Sequence, residues 1–194
     1  MPTTSRVARH IHCRFESVIA MSSLSTIHML RAVHILAGVF WAGSVFFIAW
    51  FLSPSVRSAG PAGGAVMQQL MQARRLPVWL MAGTLLTIVS GIGLYWIDSM
   101  GFHSAWLGSG SGRTFGLGGV LGISAATLGM GVNAPTARRL GSLASRIHGS
   151  GRAPAPEEVA ELQRLQARLG WATNAAAVLL ALATLAMAVA RYVP

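Results

Sequence analysis

Apolar and polar positions fall into long blocks along this chain. Four stretches, 32–56, 76–97, 114–137 and 169–190, each run for more than twenty residues without a charged side chain. About 20 apolar residues of helix cross the hydrocarbon core of a bilayer, and a soluble domain rarely needs four such blocks. The pattern predicts an all-α membrane protein, an antiparallel four-helix transmembrane bundle with spans at about 32–52, 76–97, 115–133 and 171–190.

Breaker residues set the expected ends. The first span should stop at Ser53-Pro54, because the residue before proline is pushed out of helical geometry. The second opens on Leu76-Pro77, where proline is tolerated in the first turn. The third should end at Asn133-Ala134-Pro135. Between the first two spans, 65–75 reads as a short surface helix. In the longest connection, 136–169, the chain breaks at Gly149-Ser150-Gly151 and at Pro154-Ala155-Pro156. An amphipathic helix over 157–168 then runs into the fourth span, with Glu157, Glu158 and Glu161 where the helix dipole favours anions. Residues 21–194 make a single domain. Residues 1–20 carry Arg6, Arg9 and Arg14 without the apolar run of a signal peptide, and read as a tail or a mis-annotated start ahead of Met21.

Charge adds orientation. The chain has 15 arginines, no lysine and a formal charge of +10. The arginines sit in the connections and form no stripe interleaved with aromatics, so nucleic acid is excluded as a partner. Nine of them (57, 74, 75, 138, 139, 146, 152, 164 and 168) flank one end of the spans, against Arg31, Arg113 and Arg191 at the other. Positive charge stays cytoplasmic, which predicts a multi-pass membrane protein with both termini outside. In lipid, helices associate through small residues that let backbones approach. Gly118, Gly122 and Ala126, then Ala125, Gly129 and Asn133, offer such seams on the third span. Gly83, Thr87, Ser90 and Gly91 do so on the second, and Ala177 and Ala181 on the fourth.

His34 is the one histidine inside the four uncharged stretches, and ionisable groups at membrane depth usually have a function. It shares a helix face with Gly38, Trp41 and Val45. A glycine one turn from a histidine lets a flat macrocycle approach while the imidazole ligates its iron, so His34 is a candidate metal ligand. Equally, His34 can donate an interhelical hydrogen bond to Thr87 or Ser90 and do nothing else. His103, on the same outer side with Phe102 and Trp106 beside it, could reach back towards it. Cys13 is the only cysteine, and the five carboxylates lie outside the spans, so neither a multi-cysteine metal site nor an intramembrane acid pair exists. The nine methionines are scattered, which favours packing over copper binding.

The run from Leu30 to Gly43, with His34 followed seven residues later by Trp41-Ala42-Gly43, resembles the first helix of membrane proteins related to the copper-resistance D family. It is similar, more distantly, to that of the four-helix membrane protoporphyrinogen oxidases. The segments Arg75-Leu76-Pro77 through Tyr95 and Met187 through Tyr192 fit the same group. The resemblance implies a helical bundle in the bacterial inner membrane with haem or porphyrin contact at His34 and Trp41. The chain departs where the oxidases carry Leu-Pro-Arg after Trp-x-Gly, since Val45-Phe46-Phe47-Ile48-Ala49 continues apolar, and it lacks the lysine they use in a later helix.

Two readings follow. In the first, His34, Gly38, Trp41 and His103 bind haem b or a porphyrin in a redox or tetrapyrrole-related role. In the second, the chain is a non-enzymatic membrane bundle, handling copper or serving as a partner subunit, and His34 is structural. The bilayer is the expected partner, with a homo-oligomer or a membrane redox partner beside it.

Overall fold

The computed structural model describes the backbone of residues 4–194 and the side chains of residues 25–194, Pro61 excepted. The tail expected over 1–20 lies outside the described side chains. Regular structure among the described residues is helical: α1 (Thr4–Phe47), α2 (Ser53–Ser58), α3 (Pro61–Gln72), α4 (Leu76–Asp98), α5 (Ser104–Gly108), α6 (Gly110–Leu128), α7 (Ala134–Gly149) and α8 (Pro156–Val189). Four continuous helical stretches are long and apolar enough to cross a membrane, Ser25–Ser58, Leu76–Asp98, Gly110–Gly149 and Pro156–Tyr192.

The second of these matches its expected bounds, whereas the others run on. Neither proline ends its helix. Ile48–Leu52 and Gly129–Asn133 are π-helical turns, and the chain re-enters α-helix directly at Ser53-Pro54 and Ala134-Pro135. Proline breaks an α-helix because its ring meets the carbonyl four residues back and its nitrogen offers no donor. The wider turn accommodates both problems. The Ser53 N–H reaches Ile48 O and the Ala134 N–H reaches Gly129 O, five residues back in each case. The first and third long helices therefore share one design, an apolar rod, a π turn, a proline and a helical extension.

The extensions explain the surplus length. At 1.5 Å per residue the 40 residues of Gly110–Gly149 measure about 60 Å, twice the hydrocarbon thickness. Its last part, α7, lies against α8 as an amphipathic hairpin with Leu143 and Leu165 buried. The helix expected over 157–168 is present as the start of α8, and α7 occupies the first part of the expected connection 136–169. The short helix expected over 65–75 is α3, displaced towards the N-terminus.

The start of α8 lies outside the apolar stretch and is capped from the side chain. The Glu158 carboxylate accepts from the Ala155 N–H at 2.9 Å and takes both Nη atoms of Arg152, at 2.9 and 2.8 Å. The hydrogen bond from Arg152 and that backbone N–H hold Glu158 below its ordinary value. A folded pKa below the unfolded one stabilises above the unfolded value and is lost as pH falls through the folded one. Amide exchange at the first turn of α8 should accelerate as pH falls below the ordinary carboxylate range, after correction for intrinsic exchange. Glu158→Gln should remove that dependence.

The most extensive contacts are α1 with α4 and α6 with α8. Along the first pair, Leu30 faces Gly93, His34 faces Gly91, Gly38 faces Thr87 and Trp41 faces Gly83, so the α4 numbers fall as the α1 numbers rise. In the second, Gly118 meets Met187 and Ala183. Trp41 joins the pairs. It is buried among Ala125, Ala126, Ala176 and Leu180, with Val45, Phe46 and Ile88 around it. The small-residue seams are observed in part: Gly83 and Ser90 are buried, as are Gly118, Ala125, Ala126 and Ala177. Gly122, expected in the same seam as Gly118, faces open space.

Candidate functional site

The hydroxyls of α4 are first satisfied within their own helix. Thr84 donates to Leu80 O, Thr87 to Gly83 O and Ser90 to Leu86 O, the back-bonding available to Ser and Thr in helices. What α4 still offers a neighbour is carbonyl lone pairs and the flat surface of its glycines. His34 uses both. Its Nδ1 lies 2.8 Å from Thr87 O and 3.2 Å from Ser90 Oγ. A carbonyl can only accept, so Nδ1 carries the proton and donates. In the neutral ring Nε2 is then an acceptor, and it has no hydrogen-bond partner among the described residues.

Gly91 lets the ring come this close. A Cβ added there would lie 2.8 Å from His34 Cε1 and 3.2 Å from Nδ1. Contacts on either side fix the ring along the helix. A Cβ at Gly93 would meet Leu30 Cδ2 at 2.9 Å, and one at Gly38 would meet Thr87 Cγ2 at 3.6 Å. The interhelical hydrogen bond expected at Thr87 or Ser90 is therefore present. Gly91 belongs to the packing seam expected on the second span, and the structure adds that the His34 ring is what it seats.

His34, Gly38 and Trp41 do lie along one side of α1, as their spacing requires, but they do not line a common opening. His34 is half-buried against α4, Gly38 is covered by Thr87, and Trp41 is buried in the core. A haem needs a flat slot at the glycine, and that slot holds the Thr87 methyl. The residues present do not fit a macrocycle on this face. His103 is exposed where the chain turns from α4 into α5. Its neighbours Phe102 and Trp106 cap the end of α4. Trp106 meets Tyr95 edge-on at 5.1 Å, and Phe102 meets Trp96 at 4.8 Å. Tyr95 Oη donates to Gly112 O at 3.2 Å and ties this end to α6.

Two other polar features stand out. Asn133 Oδ1, in the second π turn, is buried without a hydrogen-bond partner among the described residues. Among the described residues no three His, Cys, Asp or Glu side chains are grouped to hold a metal ion. His34 therefore has no such partners there as a metal ligand.

No protein-family model, no curated protein and no solved structure matches this chain, so the resemblance to the copper-resistance D family and the membrane protoporphyrinogen oxidases rests on the residues that carry it.

Proposed function

We propose that this chain is an antiparallel four-helix bundle of the bacterial inner membrane, with both termini outside, that acts as a non-enzymatic membrane subunit. His34 in this reading is a clamp between the first two spans. The observation that carries it is the bond from His34 Nδ1 to Thr87 O with the ring seated on Gly91. Both residues that would open a cofactor face beside it, Gly38 and Trp41, are committed to helix contacts.

The topology draws support from aromatic placement. Trp79 and Trp96 are both exposed on α4, seventeen residues and about 26 Å apart, the spacing of two interfacial belts around a hydrocarbon core. The arginine asymmetry supplies the direction. Scanning single cysteines at 57 and 103 for reagent access from each side of intact cells tests it, with 57 expected inside and 103 outside.

Haem ligation at Nε2 of His34, which has no hydrogen-bond partner among the described residues, would need Thr87 to vacate the face at Gly38. The same preparation separates the two. Purified in mild detergent from a haem-replete host, wild type and His34→Ala should both lack a Soret band. The variant should unfold with about 1 kcal/mol less stability, the scale of one interhelical hydrogen bond in a membrane. A Soret band in wild type that disappears in the variant would overturn the clamp.

A further inference from the structure

The first and fourth long helices leave a groove between them that their packing does not fill. Phe46 and Trp50 form one wall, and Ala181, Thr184, Leu185 and Ala188 the other, around a shallow, open depression of about 460 Å³. The two aromatic rings are stacked at 5.2 Å and 8°, which makes this wall a single aromatic stack. The hydroxyl of Thr184 donates to Leu180 O, and the surface that the lining turns to the groove is almost wholly apolar. Such a surface takes hydrocarbon.

The arginine-rich end of the same two helices carries a cation that no carboxylate among the described residues neutralises. Arg57 leans across α8 at Gly170, where an added Cβ would lie 3.8 and 4.0 Å from its two Nη atoms. Its Nε donates to Ser53 O at 3.3 Å, and it has no carboxylate partner among the described residues. On α8 the carboxylate nearest in sequence, Glu161, is nine residues further from the groove, about 14 Å of helix. Arg168 is on the same stretch. Trp50 is seven residues from Arg57, about 10 Å along the rod. The α1 wall thus begins about 10 Å inward from this guanidinium, and the α8 wall, from Ala181 on, eleven residues beyond Gly170, about 16 Å. A phospholipid has that layout, an anionic phosphate with hydrocarbon leading away from it, and guanidinium matches phosphate in charge and geometry.

We infer that Arg57 and the groove between the first and fourth spans form a site for one anionic phospholipid, with the phosphate on the guanidinium and an acyl chain along Phe46 and Trp50. The site rests on the reading that these helices lie in a bilayer, and it goes beyond solvation by the membrane because it distinguishes headgroups.

The test uses the full chain in neutral detergent and follows thermal unfolding while phosphatidylglycerol, phosphatidylcholine or inorganic phosphate is added. Phosphatidylglycerol should half-saturate at a concentration about fivefold lower than phosphatidylcholine, the worth of one arginine at an anionic surface. Arg57→Gln should abolish that preference, and Arg57→Lys should keep part of it. Ala188→Phe, which fills the groove from an exposed position, should weaken phosphatidylglycerol while leaving inorganic phosphate unchanged. Equal response to both lipids in wild type, or an undiminished preference in Arg57→Gln, overturns the site. If inorganic phosphate alone gives the full effect, there is an anion site without a lipid chain, and the proposal fails. A chain that carbonate washing strips from membranes fails the bundle reading itself, which keeps the two failures distinct.

Discussion

Gly91→Val should cost the protein about 3 kcal/mol, within the range for overpacking a well-filled interior. The branched side chain begins where a Cβ would lie 2.8 Å from His34 Cε1, so the imidazole must leave. Sliding along the helix is blocked by Leu30 against Gly93 on one side and by Gly38 against Thr87 on the other. Displacement therefore breaks the bond to Thr87 O as well as the packing. Denaturant titration in mixed micelles measures the loss. Ile92→Ala, at a neighbouring exposed position, should stay within about 0.5 kcal/mol of wild type. The double variant Gly91→Val with His34→Ala should recover most of the loss, since the smaller residue removes the clash, and that coupling is the signature of contact. A Gly91→Val protein as stable as Ile92→Ala would show that the ring does not sit there.

Much of this arrangement was legible because its causes are local. Uncharged length marked the four helices, and the residue types on 83–91 marked the face that α4 turns to α1. The helix ends were legible only where geometry is ordinary. Leu76-Pro77 starts a helix as its chemistry requires. Pro54 and Pro135 do not end theirs, because a turn five residues wide absorbs the missing donor, and nothing in Ile48–Leu52 or Gly129–Asn133 announces that turn. The extension α7 was hidden for the same reason, since its first residue is read as lying past a stop. At the candidate site, sequence placed His34, Gly38 and Trp41 on one side of a helix, with Thr87 or Ser90 opposite His34, but left open whether a slot stays between the two helices. The difference between an open slot and one closed by the Thr87 methyl is a matter of how two helices are rotated about their axes. Rotation follows from the sum of many contacts.

Trp41→Ala should be nearly as costly, for a different reason. Trp41 is 6% exposed and inserts between Ala125 and Ala126 on one helix and Ala176 and Leu180 on another. These small residues make the room that the indole fills. In a soluble core, deleting a large aromatic costs about 3–5 kcal/mol. In a bilayer the hydrophobic share shrinks, because lipid is as apolar as the core it replaces. What is lost is dispersion contact with four close neighbours, and the void left behind. We expect about 2–3 kcal/mol in the same titration, and less than half of that for Trp41→Phe. The two losses should also add. Gly91→Val acts within the α1–α4 pair, whereas Trp41→Ala acts between that pair and the α6–α8 pair, and their sites on α1 are seven residues, about 10 Å, apart. Sites so separated add to within about 0.5 kcal/mol. A double variant that loses much less than the sum would mean that the first substitution had already parted the two pairs, so that the His34 clamp, beyond joining its own two helices, sets the surface on which Trp41 packs.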